Sequence, residues 1–600
     1  MPQPATPASP ADTTSTPAGV QAKGNLTRRR WIAGVLNIAT DLALAVMLAR
    51  ILGTGGWSVI DTPIMLCFVI AAPWSVLGFW NAVIGFMLLH GPRSENALEV
   101  VAPFAAAGDR LSAVSSRTAV LMTLRNEDPA RALLRLATVK ASLEATGQGD
   151  HFSYFALSDT SLPEIAAREE AMFLQWQAAE GPNSRLYYRR RMENTGFKAG
   201  NIREFCERWG EGYEFMLPLD ADSLMAGATI LRMVRIMEEY PRLGLLQSLV
   251  VGTPARSAFA RMFQFGMRHG MRVYTMGSAW WAGDCGPFWG HNALVRIAPF
   301  VAHCELPVLP GGPPLGGPIL SHDQLEAALL RRGGYEVRVL PEETGSYEDN
   351  PTTILEFTRR DLRWCQGNMQ YWRLLRMPGL HFMSRFQLFW AVMMFVGLPA
   401  WTLLIALAAL RPFVREAATP FPAGLALGLY GLFLLMYLAP KLAGFLDTAL
   451  TRGELARYGG ARRFSLGCLA ELMFSFLLGA ATTFRTSIFM FGLLFGRTIA
   501  WSGQARDAHA LSWGEALGGM WPQTLFGLAV LTLFALASPA LALWSLPLTA
   551  GFVLAVPFAV WTSSPAFGER LERWKLCGVP EEFQTPPEIR ALAAHASGGT

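Results

Sequence analysis

From Thr62 to Leu89 the chain carries no charged side chain. Coiled as a helix rising about 1.5 Å per residue, that stretch outruns the roughly 30 Å of hydrocarbon in a bilayer. Few folds tolerate such a run, because in lipid every backbone amide must be satisfied within its own helix. Others resemble it. Trp31–Leu52 is broken only by Asp41 and Arg50, Phe386–Leu410 and Phe421–Pro440 are uncharged, and Met520–Gly568 suffices for two spans. Phe464–Trp501 is apolar but holds Glu471, Arg485 and Arg497. It reads either as two short spans or as one span with an interfacial helix. About eight membrane helices result.

Arg28-Arg29-Arg30 before the first run place the N-terminus in the cytoplasm by the positive-inside rule. An even number of crossings, followed by Arg570, Arg573 and Lys575, holds the C-terminus there too. The loop bearing Arg411, Arg415 and Glu416 is then periplasmic. Residues 1–27, rich in Pro, Ala and Thr and without an apolar signal core, read as a disordered cytoplasmic tail. Residues 28–90 carry two spans, 386–562 the remaining helices with cytoplasmic or interfacial loops, and 563–600 a cytoplasmic tail. Hydrophobic residues make up 52% of the chain and charged ones 16%, against roughly 25% charged in a soluble domain. That excludes a disordered chain, a fibrous repeat and a conventional soluble enzyme. A net charge of +5 on 600 residues gives no reason to expect nucleic acid as a partner. The seven cysteines are scattered without a CxxC pair, so neither a disulfide framework nor a zinc site is indicated.

Residues 91–385 differ in character. Charges are frequent, and short apolar runs end in polar residues: Ala119–Leu124, Phe152–Ser158, Glu214–Leu219, Leu243–Val251 and Val337–Leu340. These read as buried strands with helices between them, the first helix opening at Asp128-Pro129 and running through Glu144. The alternation predicts a cytoplasmic α/β domain with a largely parallel sheet.

Five places in that domain could carry chemistry. Asp220-Ala221-Asp222 ends a strand with two carboxylates on one side, an arrangement suited to a hard cation and a diphosphate, or to a plain strand-end turn. Asp159 can accept hydrogen bonds from a base or ribose, or close an Asx-turn. Lys198, with Gly200-Asn201 after Arg189-Arg190-Arg191, can neutralise a diphosphate or belong to a solvated basic face. Ser321-His322-Asp323-Gln324 reads as a capping box with Asp323 on the helix dipole, and Asp323 can equally be a general base. Arg360-Asp361-Leu362-Arg363-Trp364 is either a membrane-interface anchor or a pair of diphosphate-binding arginines beside a sugar-stacking Trp.

The order of these elements is more telling than any one of them. Asn126-Glu127, Asp159, Asp220-Ala221-Asp222, Ser321-His322-Asp323 and Arg360-Asp361-Leu362-Arg363-Trp364 precede a run of membrane helices. The arrangement resembles the membrane-embedded processive family 2 glycosyltransferases, the cellulose and hyaluronan synthases among them. Trp289-Gly290-His291-Asn292-Ala293, Leu320-Ser321-His322-Asp323 and Arg363-Trp364-Cys365-Gln366-Gly367-Asn368 are similar to one branch, the synthases of osmoregulated periplasmic glucans. Ser502-Gly503-Gln504-Ala505-Arg506-Asp507 and Trp513-Gly514-Glu515-Ala516 resemble that branch's late cytoplasmic loop. Ser321-His322 stands where the broad family has Thr-Glu, and Arg360 where it has Gln; both read as branch markers.

The resemblance implies a GT-A-like domain, the nucleotide-diphospho-sugar transferase fold, inserted in a polytopic membrane domain of the bacterial inner membrane. It implies inverting transfer from UDP-glucose to a growing β-linked glucan chain, β-1,2 in linkage, with export towards the periplasm and acyl carrier protein as a partner. Asp323 would be the base, and Asp220 and Asp222 would hold Mg²⁺ or Mn²⁺. Asn126, Glu127, Asp159, Lys198, Asp220, Arg360 and Arg363 would face the nucleotide sugar, and His291, Asn292 and Trp364 the acceptor. Three rivals stay open: another processive polysaccharide synthase, a non-catalytic scaffold of the same fold, and a transporter using Asp41, Glu471, Arg485 and Arg497. Retention of Asp220, Asp222 and Asp323 argues against the scaffold, and no Walker motif is present for an ATP-driven pump.

Overall fold

The apolar runs of the central region form strands because their residues are buried on both faces, as a helix-covered sheet requires. In the computed structural model, which describes residues 23–54, 56–92, 94–414, 421–499 and 509–598, these are β1 (Thr118–Leu124), β2 (Phe152–Ser158), β4 (Phe215–Asp220), β6 (Leu243–Gly252) and β8 (Glu336–Glu348). Three strands were not expected: β3 (Leu186–Arg190), β5 (Leu224–Met225) and β7 (Ala293–Arg296). The sheet order is β3-β2-β1-β4-β7-β6-β8-β5. β3, β2, β1 and β4 are parallel, as are β6 and β8, but β7 runs against both β4 and β6, and β5 against β8. The sheet is therefore mixed rather than largely parallel. Register sets Leu124 beside Ser158 and Thr123 beside Asp220, so the carboxyl ends of β1, β2 and β4 share one edge.

The membrane part corrects the helix count. Among the described residues six helices are long and apolar enough to cross a bilayer: Gly24–Gly53, Asp61–His90, Phe382–Val414, Ala423–Leu450, Ala461–Leu494 and Trp513–Ala537. A pair bent by 55°, Pro539–Val553 with Ala555–Ser563, brings the number among those residues to seven, against the eight or so expected. The two short spans weighed for Phe464–Trp501 are instead one unbroken helix, Ala461–Leu494. Its first turns pack on the helix Ala258–Ala282 through Phe464 and Gly467 against Phe265. Near its other end Thr486 donates to Asp361 (3.1 Å), and Phe489 and Leu493 pack with Leu362 and Cys365. This helix therefore touches the α/β domain near both of its ends. Both described ends of the chain also dock on the α/β domain, Arg30 on the Ala282 carbonyl (2.7 Å) and Glu588 on the Ser142 hydroxyl (2.6 Å). Residues 1–22 of the expected tail, Arg415 and Glu416 of the expected periplasmic loop, and Ser502–Asp507 lie outside the described residues.

Ala258–Ala282 joins the two parts and is called the bridging helix below. Met276 and Ala279 pack with Val339 of β8 on one side. On the other, glycines let membrane helices approach its backbone. A Cβ on Gly277 would lie 1.9 Å from the Asn81 carbonyl oxygen, and one on Gly85 would lie 1.9 Å from that of Val273. One on Gly444 would lie 2.4 Å from the His269 carbonyl oxygen. The arginine cluster has a local task here, because Arg29 and Arg30 donate to the carbonyls of Trp280, Trp281 and Ala282 at the end of this helix. Gly277→Val should force Asp61–His90 away from the bridging helix. Overpacking of that kind costs about 1–3 kcal/mol or more, and a lowered melting temperature of purified protein in detergent would register it. Gly24→Val, where no atom lies within 4 Å of the added carbon, is the matched control.

Candidate active site

A cavity of about 260 Å³ opens at the carboxyl ends of β1, β2 and β4, the edge at which α/β sheets bind ligands. Of the residues selected from sequence, Glu127, Asp159, Lys198, Asp220, Asp222, His291, Asp323, Arg360, Arg363 and Trp364 line it. Asn126 and Asn292 do not. Asn126, at φ +56°, turns its side-chain oxygen to the backbone amides of Ser161 (2.9 Å) and Leu162 (3.0 Å), clipping the β1 loop to the β2 loop. Asn292 is fully buried and donates to Ser346 Oγ (2.9 Å) and the Tyr347 carbonyl (3.1 Å). Both amides serve the scaffold, a correction to their expected roles on nucleotide sugar and acceptor.

The β4 end supplies the anionic floor. Asp220 pairs with Lys198 Nζ, which also donates to the Gly290 carbonyl at 2.9 Å. Gly290, at φ +83°, brings three elements together: a Cβ there would lie 3.6 Å from Asp323 Cβ, 3.8 Å from Lys198 Nζ and 3.9 Å from His322 Cε1. Asp323 and the cation that neutralises Asp220 thus both border Gly290. Asp159 is occupied on both oxygens by Arg191, at 2.7 and 2.8 Å. Arg191 also holds the Phe197 carbonyl (3.0 Å), so this pair orders the loop leading to Lys198.

The helix carrying Asp323 begins at that residue, with His322 as N-cap and no side-chain cap. The capping box of Ser321 and Gln324 is therefore not formed. His322 instead bonds Glu326 (2.8 Å), and this contact outweighs burial to raise the His322 pKa. Gln370 grips the preceding loop by accepting from the Leu320 amide (2.8 Å) and donating to the Pro318 carbonyl (3.0 Å). Tyr371 donates to the Ser321 carbonyl at 2.7 Å.

Arg360 stacks on Trp364, 4.8 Å from the ring centroid, and the indole remains 47% exposed beside the cavity. Arg360 Nε is buried with no hydrogen-bond partner among the described residues. Asp361 faces the other way, towards Thr486, and burial pushes its carboxyl up to about 6. The motif helix Ile354–Met369 thus gives arginines and Trp to the cavity and its Asp to the membrane part.

Sequence reasoning missed Glu348 and Ser223. Glu348 lines the cavity at the end of β8 and sits 3.3 Å from His291 Nε2, while Ser223 Oγ lies 3.3 Å from Nδ1. Burial works against an imidazolium, but the Glu348 hydrogen bond and the Asp220 carboxylate prevail and lift His291 to about 9. The only signal for Glu348 was an acidic pair closing a polar run. Among the described residues no group of three or more His, Cys, Asp or Glu is placed to hold a metal. Two aspartates at a strand end nevertheless fit Mg²⁺ or Mn²⁺, which take few protein oxygens and fill the remaining positions with water and phosphate. Of the charges a transporter would use, Glu471 pairs with Lys441 and accepts from Ser475, and Arg485 donates to the Gly519 carbonyl.

The fold and the comparisons agree on a class. Residues 215–439, from β4 into the fourth apolar helix, match the family described as glycosyl transferase family group 2, and the chain is a family 2 glycosyltransferase of GT-A fold set in a multi-pass membrane part. It is 35% identical over 592 residues to glucans biosynthesis glucosyltransferase H of Caulobacter vibrioides strain NA1000 / CB15N, covering 95% of this chain and 87% of that one. The protein of the same name from Xanthomonas campestris pv. campestris strain B100 is 36% identical over 582 residues (94% and 89% covered), and that of Xylella fastidiosa strain 9a5c 35% over 570 (92% and 88%). The chain belongs to the glucans biosynthesis glucosyltransferase H family.

Proposed function

We propose that this protein transfers glucose from UDP-glucose, with inversion, to the growing end of a β-1,2-linked glucan, the backbone of osmoregulated periplasmic glucans. The observation that carries this reading is the single cavity joining Asp323 to the Asp220, Asp222 and Lys198 floor. An inverting transfer needs one base on the acceptor side and stabilisation of the charge on the departing diphosphate. Asp323 takes the proton of the acceptor hydroxyl as that oxygen attacks the anomeric carbon. Lys198, Arg360 and Arg363 receive the diphosphate, with Glu127 and Asp159 on the nucleotide side. A Mg²⁺ or Mn²⁺ ion held by Asp220 and Asp222 would supply further positive charge to it. The catalytic domain and both termini lie on the cytoplasmic face of the inner membrane, a reading supported by Arg28–Arg30 and by the contacts of Arg30 and Glu588, near the two described ends, with that domain.

Export of the product is part of the proposal. A second cavity of about 300 Å³ lies among the membrane helices, lined by Trp74, Trp401, Tyr430, Tyr437, Thr482 and Thr483. Aromatic faces with hydroxyls between them suit a sugar chain. Acyl carrier protein enters as a partner through the family resemblance alone. Purified full-length protein should release UDP from UDP-glucose and build a polymer whose linkage analysis gives β-1,2 glucose. UDP-glucose turned over without polymer, or a different linkage, would refute it.

Trp364 offers a sharper test. If it is the acceptor platform, Trp364→Ala should keep its UDP affinity, lose roughly tenfold or more in elongation, consistent with stacking worth about 1–3 kcal/mol, and still hydrolyse UDP-glucose slowly. Equal losses of UDP affinity, hydrolysis and elongation, tracking a lower melting temperature, would make Trp364 a structural anchor.

A further inference from the structure

The turn Asp220–Ser223 is carried on two arms that leave the end of β8. In the first, Asp220 N–H donates to Ser223 Oγ (3.1 Å), Ser223 Oγ meets His291 Nδ1 (3.3 Å), and His291 Nε2 meets Glu348 (3.3 Å). In the second, Arg135 donates through Nη1 to the Asp222 carbonyl and through Nη2 to Asp349, both at 2.7 Å. Asp349 is held in turn by the Thr253 hydroxyl, and the Thr253 amide donates to the Glu348 carbonyl at 2.9 Å. Arg135 is buried, on the helix Pro129–Glu144, and neither it nor Asp349 lines the cavity.

From this geometry we infer that Arg135 and Asp349 are positioning residues that set the divalent-ion and diphosphate affinity of the site by fixing the backbone of Asp222. The inference rests on the reading of Asp220 and Asp222 as the residues that meet the ion and the diphosphate. Asp222 lies two residues past the end of β4, in a turn that the Ser223 amide closes on the Asp220 carbonyl (2.9 Å), and the Arg135 guanidinium adds a side-chain tether to the Asp222 carbonyl. A guanidinium supplies that tether because its planar fork spans two acceptors at once. The Asp349 carboxylate holds the fork in place, and the residues contacting a ligand depend in this way on the hydrogen bonds behind them. Arg135 also ties the helix following Asn126-Glu127 to the turn after β4.

The test uses full-length protein in detergent and three variants: Arg135→Lys, Asp349→Asn, and the double change Arg135→Met with Asp349→Leu, which removes both charges and leaves none buried alone. Mn²⁺ binding in the presence of UDP is followed by electron paramagnetic resonance, and UDP affinity by calorimetry with Mn²⁺ and with EDTA. Loss of the tether should weaken Mn²⁺ binding by roughly 10–100-fold, the usual effect of changing a residue behind a ligand shell. Turnover should recover at saturating Mn²⁺, and the double variant should melt near the parent. Arg135→Lys should resemble the others, since an ammonium cannot serve both acceptors in the same geometry. A double variant with parental Mn²⁺ and UDP affinities would overturn the inference, whatever its melting temperature. If the parent binds UDP equally well in EDTA, the divalent-ion reading falls on its own. Affinity in EDTA then decides for the tether if the variants weaken and against it if they do not.

Discussion

Asp323→Asn should bind UDP as the parent does and lose glucan synthesis by roughly 10²–10⁴-fold, the usual worth of a positioned general base. Asn is nearly isosteric and is tolerated near a helix N-terminus, and the side chain caps nothing here, because the helix is entered through His322 without a side-chain cap. The loop before it is held by Gln370 and Tyr371, not by Asp323. The substitution therefore removes a proton acceptor and little else. Equal amounts of folded protein should be compared for UDP affinity and for polymer formed. Activity above half the parental value would leave Asp323 a helix-dipole partner and move the base elsewhere.

The second large effect is expected at the β4 end. Asp220→Ala frees Lys198 from its carboxylate, and Asp222→Ala removes the other oxygen donor facing the diphosphate. Each should cut transfer by at least roughly 10²–10³-fold, as the loss of one preorganised charge contact does in other active sites. UDP binding should become insensitive to Mg²⁺ and Mn²⁺ in both variants. The two need not be equal: Asp220→Ala leaves Lys198 able to meet the diphosphate directly, so it should retain more UDP affinity than Asp222→Ala in EDTA. Parental turnover unaffected by EDTA would contradict the metal assignment at its root.

Much of this architecture was legible in the sequence because burial on both faces writes strands as unbroken apolar runs. β2 was placed to the residue at Phe152–Ser158, and β1, β4 and β6 to within one. β3 was missed because Tyr187-Tyr188-Arg189-Arg190 reads as a basic run, although the arginines only extend from a strand whose first residue is buried. β8 was read as far as Leu340, yet it continues to Glu348 through the polar stretch Glu342–Gly345. That extension brings Glu348 and Asp349 to the site. Asp159, Asp220 and Asp323 were found because each closes an apolar strand or opens a helix, whereas Glu348, on the same cavity, ends a polar stretch and was missed. The residues behind them were not, since Arg135 and Asp349 meet across the fold from opposite ends of the domain. No local pattern marks such a pair. Asn292 was misassigned for a related reason: neighbouring residues in one motif alternate between the cavity and the interior, and sequence does not say which way each turns.

The bridging helix has a practical consequence. Phe259 and Phe265 share one apolar cluster with Ile354 of the motif helix, Phe464 and Phe474 of the long helix beside it, and Phe558 of the bent pair. The sugar-transferring half and the lipid-facing half therefore have no seam along which they could be cut. A fragment trimmed to the α/β domain would carry that aromatic seat bare into water, where it would cling to detergent, to its neighbours or to the tube wall. An enzyme preparation therefore has to keep the α/β domain together with the membrane helices that seat it.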